Sequence, residues 1–153
     1  MADLKHYFFY SKNLAIGPSG KVIPYPDSKF GYVIESKSAS SLSDNSNTIW
    51  YGPYLTLEPG HYKVTISLMG KALNKTVMPT PLLYMNSNGF GGPTYYSETV
   101  YSSQLSSTHW TNFTFFINVQ KPYPLTEFRG YLVYNGLGTY GQLMLNYIEV
   151  EYQ

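Results

Sequence analysis

The chain has 153 residues, of which 18% are aromatic, only 12% are charged and none is cysteine. The lack of cysteine excludes disulfides, thiolate zinc sites and cysteine nucleophiles. Ten basic residues nearly balance nine acidic ones and are scattered along the chain. Nucleic-acid binding, which needs a basic patch, is therefore not expected.

No apolar run approaches the ~20 residues of a membrane span, and the N-terminal residues do not resemble a cleavable export signal. With so few charges, solubility must come from Ser, Thr, Asn and Tyr side chains. That composition favours an extracellular or virion-surface location but does not fix the compartment. The length fits a single domain covering residues 1–153.

Apolar residues alternate with polar ones, and Gly, Pro and Asn-Gly punctuation recurs along the chain, which predicts an all-β protein. Strands are predicted at residues 7–10, 30–35, 49–57, 60–69, 82–85, 94–101, 110–119, 128–134 and 142–152. Loops are predicted at residues 16–29, 36–48 and 86–93. Such a series of short strands is typical of a sandwich or a barrel.

Two turn sequences predict how neighbouring strands are joined. Glu58-Pro59-Gly60 has the proline and glycine of a type II turn, which predicts that strand 49–57 runs antiparallel to strand 60–69. The glycines of segment 135–138 predict a hairpin between the last two strands.

The last strand contains a change of parity. Leu143 and Leu145 occupy odd positions, whereas Ile148 and Val150 occupy even ones. Because side chains in a strand alternate with a period of two, this change requires an extra residue. The sequence therefore predicts a β-bulge near Asn146 and Tyr147.

The segment Trp50-Tyr51-Gly52-Pro53-Tyr54-Leu55-Thr56-Leu57-Glu58-Pro59-Gly60-His61-Tyr62-Lys63-Val64 resembles a segment of galactose-binding-like jelly rolls, the fold of many carbohydrate-binding modules. Residues 110–115, 127–130 and 143–150 resemble the closing strands of that family. The resemblance implies a two-sheet antiparallel β-sandwich of jelly-roll type. Where relatives often carry Asp before the final Tyr-Ile, this chain has Asn146, so the resemblance carries no metal or charge role to that position.

A sugar-binding site needs aromatic faces that stack on a pyranose ring and amides that bond to its hydroxyls. Exposed aromatic residues near amides are therefore the candidates. They are Asn86, Asn88, Phe90, Tyr95, Tyr96, Asn135 and Tyr140. The alternative for each is a turn amide or a half-buried strand tyrosine. For Trp50 and Trp110, packing in the core or at its rim is the favoured interpretation.

Acidic residues near the end of the chain suggest a calcium site. Glu149 and Glu151 lie on the same face of the last predicted strand, and with Glu35 or Glu98 they would offer the oxygen ligands that calcium prefers. A solvated acidic edge that opposes aggregation is the alternative. The sequence predicts no other cofactor.

Three function hypotheses follow from these patterns. The leading one is a non-catalytic module that recognises carbohydrate through aromatic and amide side chains. The alternative is a structural subunit of a virion or cell envelope, which would self-associate. A glycoside hydrolase comes third, because no local pattern marks a catalytic carboxylate pair among the nine acidic residues.

Overall fold

A computed structural model describes residues 5–37, 47–72, 81–89, 93–120, 123–133 and 141–153. These residues form two antiparallel sheets whose inner faces enclose a hydrophobic core. The predicted all-β, two-sheet sandwich is thereby confirmed. The described residues contain no helix long and apolar enough to cross a membrane.

The first sheet has six strands. They are β1 (His6–Phe9), β3 (Gly20–Pro24), β4 (Tyr32–Ser36), β7 (Gly60–Ala72), β10 (Thr111–Val119) and β12 (Gly141–Tyr152). Their order is β10-β7-β12-β4-β3, and β1 also pairs with β12. The central strand, β12, is thus hydrogen-bonded to β7 on one side and to β1 and β4 on the other.

The second sheet also has six strands. They are β2 (Ala15–Ile16), β5 (Thr48–Tyr51), β6 (Pro53–Leu57), β8 (Pro81–Gly89), β9 (Thr94–Tyr101) and β11 (Tyr123–Leu132). Their order is β2-β5-β11-β8-β9, and β6 also pairs with β11. A 3₁₀ turn, Ser102–Gln104, follows β9.

The core follows the predicted alternation of apolar residues. Tyr62, Val64, Ile66 and Leu68 of β7 are buried in the core. Thr65 and Ser67, on the opposite side of the strand, are buried as well, so the outer side of β7 is not fully open to solvent, contrary to what the alternation predicts. Trp50 is fully buried, which confirms its packing role. A Cβ at Gly130 would lie only 2.4 Å from the nearest Trp50 ring atom, so the indole requires a glycine at the opposite position.

A local prediction in the first sheet is confirmed. The register between β7 and β12 shifts between Leu145 and Tyr147, where the parity change predicts a bulge. In β10, Phe113 and Phe115 are half-buried against the core, while Phe116 points outward and is 65% exposed. Period-two patterns therefore locate the inward residues correctly even where register is irregular.

The predicted strand pairings are wrong in two places. Segment 49–57 is two strands, β5 and β6, and both pair with β11 in the second sheet, whereas β7 belongs to the first. The turn at residues 58–60 therefore crosses between sheets. Likewise β11 and β12 lie in different sheets, so they do not form the predicted hairpin. The segment between them, 134–140, lies outside the described residues.

Two predicted loops contain strand residues. Segment 16–29 includes β3, which was missed because Pro24 argues against a strand interior. β3 lies at the edge of its sheet, where a proline is tolerated. Residues 86–89 belong to β8, so that part of the predicted loop 86–93 is also wrong. Most of the predicted loop 36–48, residues 38–46, lies outside the described residues.

Candidate functional site

Strand β11 presents a row of polar and aromatic side chains on the outer face of the second sheet. Phe128 and Leu132 are buried in the core. Because side chains alternate along a strand, Glu127, Arg129 and Tyr131 project from the opposite side. The row is carried by a central strand of the sheet, so its spacing is fixed by hydrogen bonds on both sides.

Strand β8 lies beside β11 and extends this surface. Residues directly opposite each other in an antiparallel pair share a face. The opposed pairs are Tyr84 with Tyr131, Asn86 with Arg129, and Asn88 with Glu127. The Tyr84 and Tyr131 ring centroids lie 6.0 Å apart, and Tyr84 is 38% exposed. Register alone thus brings together two tyrosines, two amides and one ion pair.

The ion pair lies at the centre of this surface. Arg129 Nε is 2.7 Å from Glu127 Oε1. The guanidinium also donates a hydrogen bond of 3.1 Å to the Tyr131 hydroxyl and lies 5.6 Å from the centroid of the Tyr51 ring. Burial opposes the positive charge, but the hydrogen bonds to Tyr131 and Glu127 more than offset it and raise the pKa of Arg129. The arginine therefore remains charged and is matched by one carboxylate.

Tyr51 and Tyr54 close one side of the surface. Their ring centroids are 6.2 Å apart in an edge-on arrangement. The chain reaches Tyr54 through Gly52 at φ +90°, and Tyr54 itself has φ +63°, a left-handed conformation that is uncommon for a bulky residue. Burial raises the pKa of Tyr54, and a hydrogen bond from Arg129 partly opposes this shift.

We call this surface the tyrosine face. It consists of Tyr51, Tyr54, Tyr84, Asn86, Asn88, Glu127, Arg129 and Tyr131. A depression of about 220 Å³ adjoins it, lined by Pro18, Thr48, Tyr51 and Arg129. A larger depression of about 280 Å³ lies beside β12, and no aromatic residue is among the described residues that line it. The tyrosine face is therefore the better match to the chemistry of sugar recognition.

Three buried polar atoms on the tyrosine face have no well-aligned hydrogen bond with the described residues. They are the acceptors Glu127 Oε2 and Asn86 Oδ1 and the donor Arg129 Nε. Glu127 is only 5% exposed. A buried polar group without a partner costs about 1–3 kcal/mol, so a native structure that retains one calls for an explanation. A ligand that supplies both hydrogen-bond donors and acceptors would reduce this cost.

The structure places the predicted ligand residues in three different environments. Asn86 and Asn88 lie on the tyrosine face. Tyr96 points inward, where its ring stacks on Phe115 and burial raises its pKa well above the usual value. Tyr95 is half-buried and packs against the core. The remaining predicted ligand residues, Phe90, Asn135 and Tyr140, lie outside the described residues.

The outer face of the first sheet carries a different set of side chains, which we call the mixed face. Across four strands, Phe116 lies opposite Lys63, Lys63 opposite Glu151, and Glu151 opposite His6. The next row across the sheet is Thr114, Thr65, Glu149 and Phe8. In the first row Lys63 lies directly opposite Glu151, an opposite-charge pair across neighbouring strands. The second row contains one acidic residue and no basic residue.

The predicted calcium ligands are only partly brought together. Glu149 and Glu151 lie beside His6, and the ligand atoms of the three residues are within 4.8 Å of one another. Glu35 is not in this group: it pairs with Lys21 at 3.2 Å and lies opposite Met144. A calcium site at Glu149 and Glu151 remains a prediction, and a calcium titration followed by thermal unfolding would test it.

The sequence analysis missed six residues of the tyrosine face. They are Tyr51, Tyr54, Tyr84, Glu127, Arg129 and Tyr131. The alternation of polar and apolar residues over 127–132 was a usable signal for an outward row on β11. The pairing of that row with β8 joins residues that are distant in sequence, and no local pattern specified it.

No protein-family model matches this sequence, and no curated protein matches it. Solved structures do match. A family 35 carbohydrate-binding module from Clostridium thermocellum has a TM-score of 0.60 at 12% identity, covering 95% of this chain and 98% of that one. A family 61 module in complex with β-1,4-galactotriose has a TM-score of 0.59 at 12% identity, covering 97% and 88%. A family 6 module from the Cellvibrio mixtus lichenase 5A, in complex with cellotriose, has a TM-score of 0.55 at 12% identity, covering 96% and 97%.

At this low identity the comparisons establish the fold alone. The chain is a β-sandwich with the fold of carbohydrate-binding modules, and the resemblance carried by residues 50–64 is confirmed. These neighbours are binding modules rather than catalytic domains, and they give no support to the alternative of a virion subunit.

Proposed function

We propose that this protein is a non-catalytic carbohydrate-binding module whose ligand lies on the tyrosine face. The observation that carries the proposal is the convergence of four tyrosines on a single ion pair and two amides, all on one face of the second sheet. The structural neighbours support it, because two of the solved modules hold cellotriose or β-1,4-galactotriose.

The chemistry of the tyrosine face suits a sugar. A tyrosine ring offers a large apolar surface with a polar tip, so Tyr84 and Tyr131 can pack against the C–H side of a pyranose. Asn86, Asn88 and Glu127 can then bond to hydroxyls at the ring edge. Binding sites commonly combine aromatic contact area with a few fixed polar groups in this way.

The same face also restricts where a ligand can lie. Tyr84 and Tyr131 are neighbours across two strands, and Tyr51 lies on the far side of Arg129, within 5.6 Å of its guanidinium. The aromatic contacts thus extend across the strands rather than along one of them. An oligosaccharide that runs across β8, β11 and β5 would contact all three tyrosines.

Isothermal titration calorimetry with soluble xylan, β-1,4-galactan, hydroxyethylcellulose and laminarin tests the proposal. We expect at least one of these polysaccharides to bind, and Tyr84→Ala and Tyr131→Ala each to weaken that binding about tenfold, the loss expected of a hot-spot aromatic residue. The matched control is Phe116→Ala, which removes an exposed ring from the mixed face and should leave the affinity unchanged. Equal losses in all three variants, or no binding to any polysaccharide, would contradict the proposal.

A further inference from the structure

We infer that the tyrosine face selects uncharged, hydroxyl-rich sugars and rejects carboxylated or sulfated ones, with Glu127 and Asn86 as the acceptors for ligand hydroxyls. This inference rests on the proposed function and adds the chemical class of the ligand. It is based on the hydrogen-bonding state of three side chains: Glu127, Asn86 and Arg129.

The first step concerns the hydrogen-bond partners that buried atoms of the tyrosine face lack. Glu127 Oε1 is occupied by Arg129 at 2.7 Å, but Oε2 and the Asn86 carbonyl oxygen receive no donor from the described residues. Both atoms are acceptors. A carboxylate accepts hydrogen bonds only, and so does an amide oxygen. Arg129 Nε, which lies 2.7 Å from Glu127 Oε1 as an ion pair, is a third buried atom without a well-aligned hydrogen bond, and it is a donor. A ligand group that satisfies all three atoms must both donate and accept, as a sugar hydroxyl does and a carboxylate does not.

The second step concerns the cation. An acidic sugar needs a positive group that is free to pair with it. Among the described side chains of the tyrosine face, Arg129 is the cation, and it is already engaged by Glu127 and the Tyr131 hydroxyl. The formal charges of Glu127 and Arg129 cancel, so the face presents no net positive charge to an anion.

The third step concerns repulsion. A carboxylate or sulfate group near Oε2 of Glu127 would place a second acceptor and a second negative charge against a buried carboxylate. Neither group could supply the donor that Oε2 requires, and like charges across a desolvated contact oppose binding. Glu127 would therefore act against acidic glycans while it accepts a hydrogen bond from neutral ones.

The experiment compares neutral polysaccharides with their own carboxymethylated derivatives. Hydroxyethylcellulose is measured beside carboxymethylcellulose, and xylan and β-1,4-galactan beside their carboxymethylated forms, by calorimetry in 0.15 M NaCl to limit long-range electrostatics. For each neutral polysaccharide that binds, we expect carboxymethylation to lower the affinity by at least about tenfold, which corresponds to ~1.4 kcal/mol.

Two variants and one control identify which residues discriminate between neutral and carboxymethylated polysaccharides. Asn86→Ala keeps the ion pair and should weaken neutral binding by about five- to tenfold through loss of one hydrogen-bond acceptor. Glu127→Gln should reduce the penalty for carboxymethylation, because it removes the repelling charge and frees Arg129. Glu149→Gln makes the same change on the mixed face and should leave both affinities unaltered. The melting temperature of each variant is recorded to confirm that it is folded.

Equal or tighter binding of the carboxymethylated forms by the unchanged protein would overturn the inference and leave the proposed function intact. An unchanged preference in both Asn86→Ala and Glu127→Gln, with both variants folded, would also overturn it. Absence of binding to every neutral and carboxymethylated form would overturn the proposed function and this inference together.

Discussion

Each outer face of the sandwich has a partly or fully buried asparagine, and the two amides differ in what they contact. Asn146, at the bulge of β12, accepts a hydrogen bond of 2.9 Å from the Lys29 backbone and lies 3.4 Å from the Ser67 hydroxyl. Asn86, on β8, has a buried carbonyl oxygen that no described residue reaches. The first amide is satisfied by the fold itself, whereas the carbonyl oxygen of the second has no donor among the described residues.

The cations of the two faces differ in the same way. On the mixed face the Lys29 ammonium lies 4.8 Å from the centroid of Phe8 and 5.7 Å from that of Phe30, where it covers the rings. On the tyrosine face Arg129 also lies near a ring, 5.6 Å from the centroid of Tyr51, but it is paired with a carboxylate and donates a hydrogen bond to a hydroxyl as well. The two faces therefore differ in polar chemistry: the Lys29 ammonium contacts aromatic rings, whereas the Arg129 guanidinium is part of a polar cluster.

Arg129→Met is the change expected to have the largest effect on the tyrosine face. It leaves the Glu127 carboxylate buried without its counter-charge, and breaking a buried pair in this way costs about 3 kcal/mol. Urea denaturation should show this loss of unfolding free energy, and the double variant Arg129→Met with Glu127→Leu should recover most of it. A loss below about 0.5 kcal/mol, typical of surface substitutions, would mean that the ion pair is solvated.

Replacement of each asparagine tests whether the amide of Asn146 stabilises the fold and that of Asn86 does not. Asn146→Ala should cost about 1 kcal/mol, because the Lys29 N–H loses its acceptor in a part-buried hydrogen bond. Asn86→Ala should cause no loss of unfolding free energy and should raise it by up to about 1 kcal/mol, because it removes a buried carbonyl oxygen that has no donor among the described residues. Equal destabilisation by both substitutions, measured by chemical denaturation, would contradict the distinction.

Lys29→Met tests the cation on the mixed face. The methionine retains the apolar stem but removes the ammonium from the Phe8 and Phe30 rings, so we expect a loss of about 0.5–1 kcal/mol, the usual range for an exposed cation–π contact. Polysaccharide affinity should not change. A tenfold loss of affinity in a folded Lys29→Met protein would place the ligand on the mixed face.

Tyr62 lies in the core beneath both faces. We expect its ionisation to reduce the stability of the fold at alkaline pH but not at neutral pH. Burial, assisted by the nearby Tyr7 and Glu58, raises the pKa of Tyr62 to about 12 from its usual value of 10.0. The unfolded chain then releases this proton at lower pH than the folded chain does. Its contribution to stability is therefore complete below pH 10 and is lost as the pH rises towards 12.

Chemical denaturation of the unchanged protein and of Tyr62→Phe at pH 8, 10, 11 and 12 checks this pH dependence of stability. Tyr62→Phe should lower stability at pH 8, because the hydroxyl donates a hydrogen bond of 2.7 Å to the Glu58 carbonyl oxygen. The same variant should show a shallower decline above pH 10 than the unchanged protein. Parallel declines in the two proteins would show that Tyr62 does not contribute to the pH dependence.

Features that depend on local alternation were predictable from the sequence. The bulge near Asn146 follows from a parity change within one strand, and the outward position of Phe116 follows from period two. The sheet to which each strand belongs was not predictable in the same way. The turn at residues 58–60 is compatible with a hairpin and with a crossing between sheets, and tertiary packing decides between them.

The residues of the candidate site also divide into those that the sequence predicted and those that depend on tertiary packing. Asn86 and Asn88 were predicted from their type and from the glycines that follow them. Tyr84 and Tyr131 were missed because their proximity depends on the pairing of β8 with β11. In sequence, Tyr96 and Tyr84 are equally plausible stacking residues, and only the alternation within β9 and β8 turns one towards Phe115 and the other towards solvent.

The most direct test is an NMR titration of the isotopically labelled protein with whichever neutral polysaccharide fragment binds in calorimetry. We expect chemical-shift changes at Tyr84, Asn86, Arg129 and Tyr131, and none at Phe116, Thr114 or His6. Changes centred on the strands of the mixed face, with β8 and β11 unaffected, would contradict a ligand site on the tyrosine face.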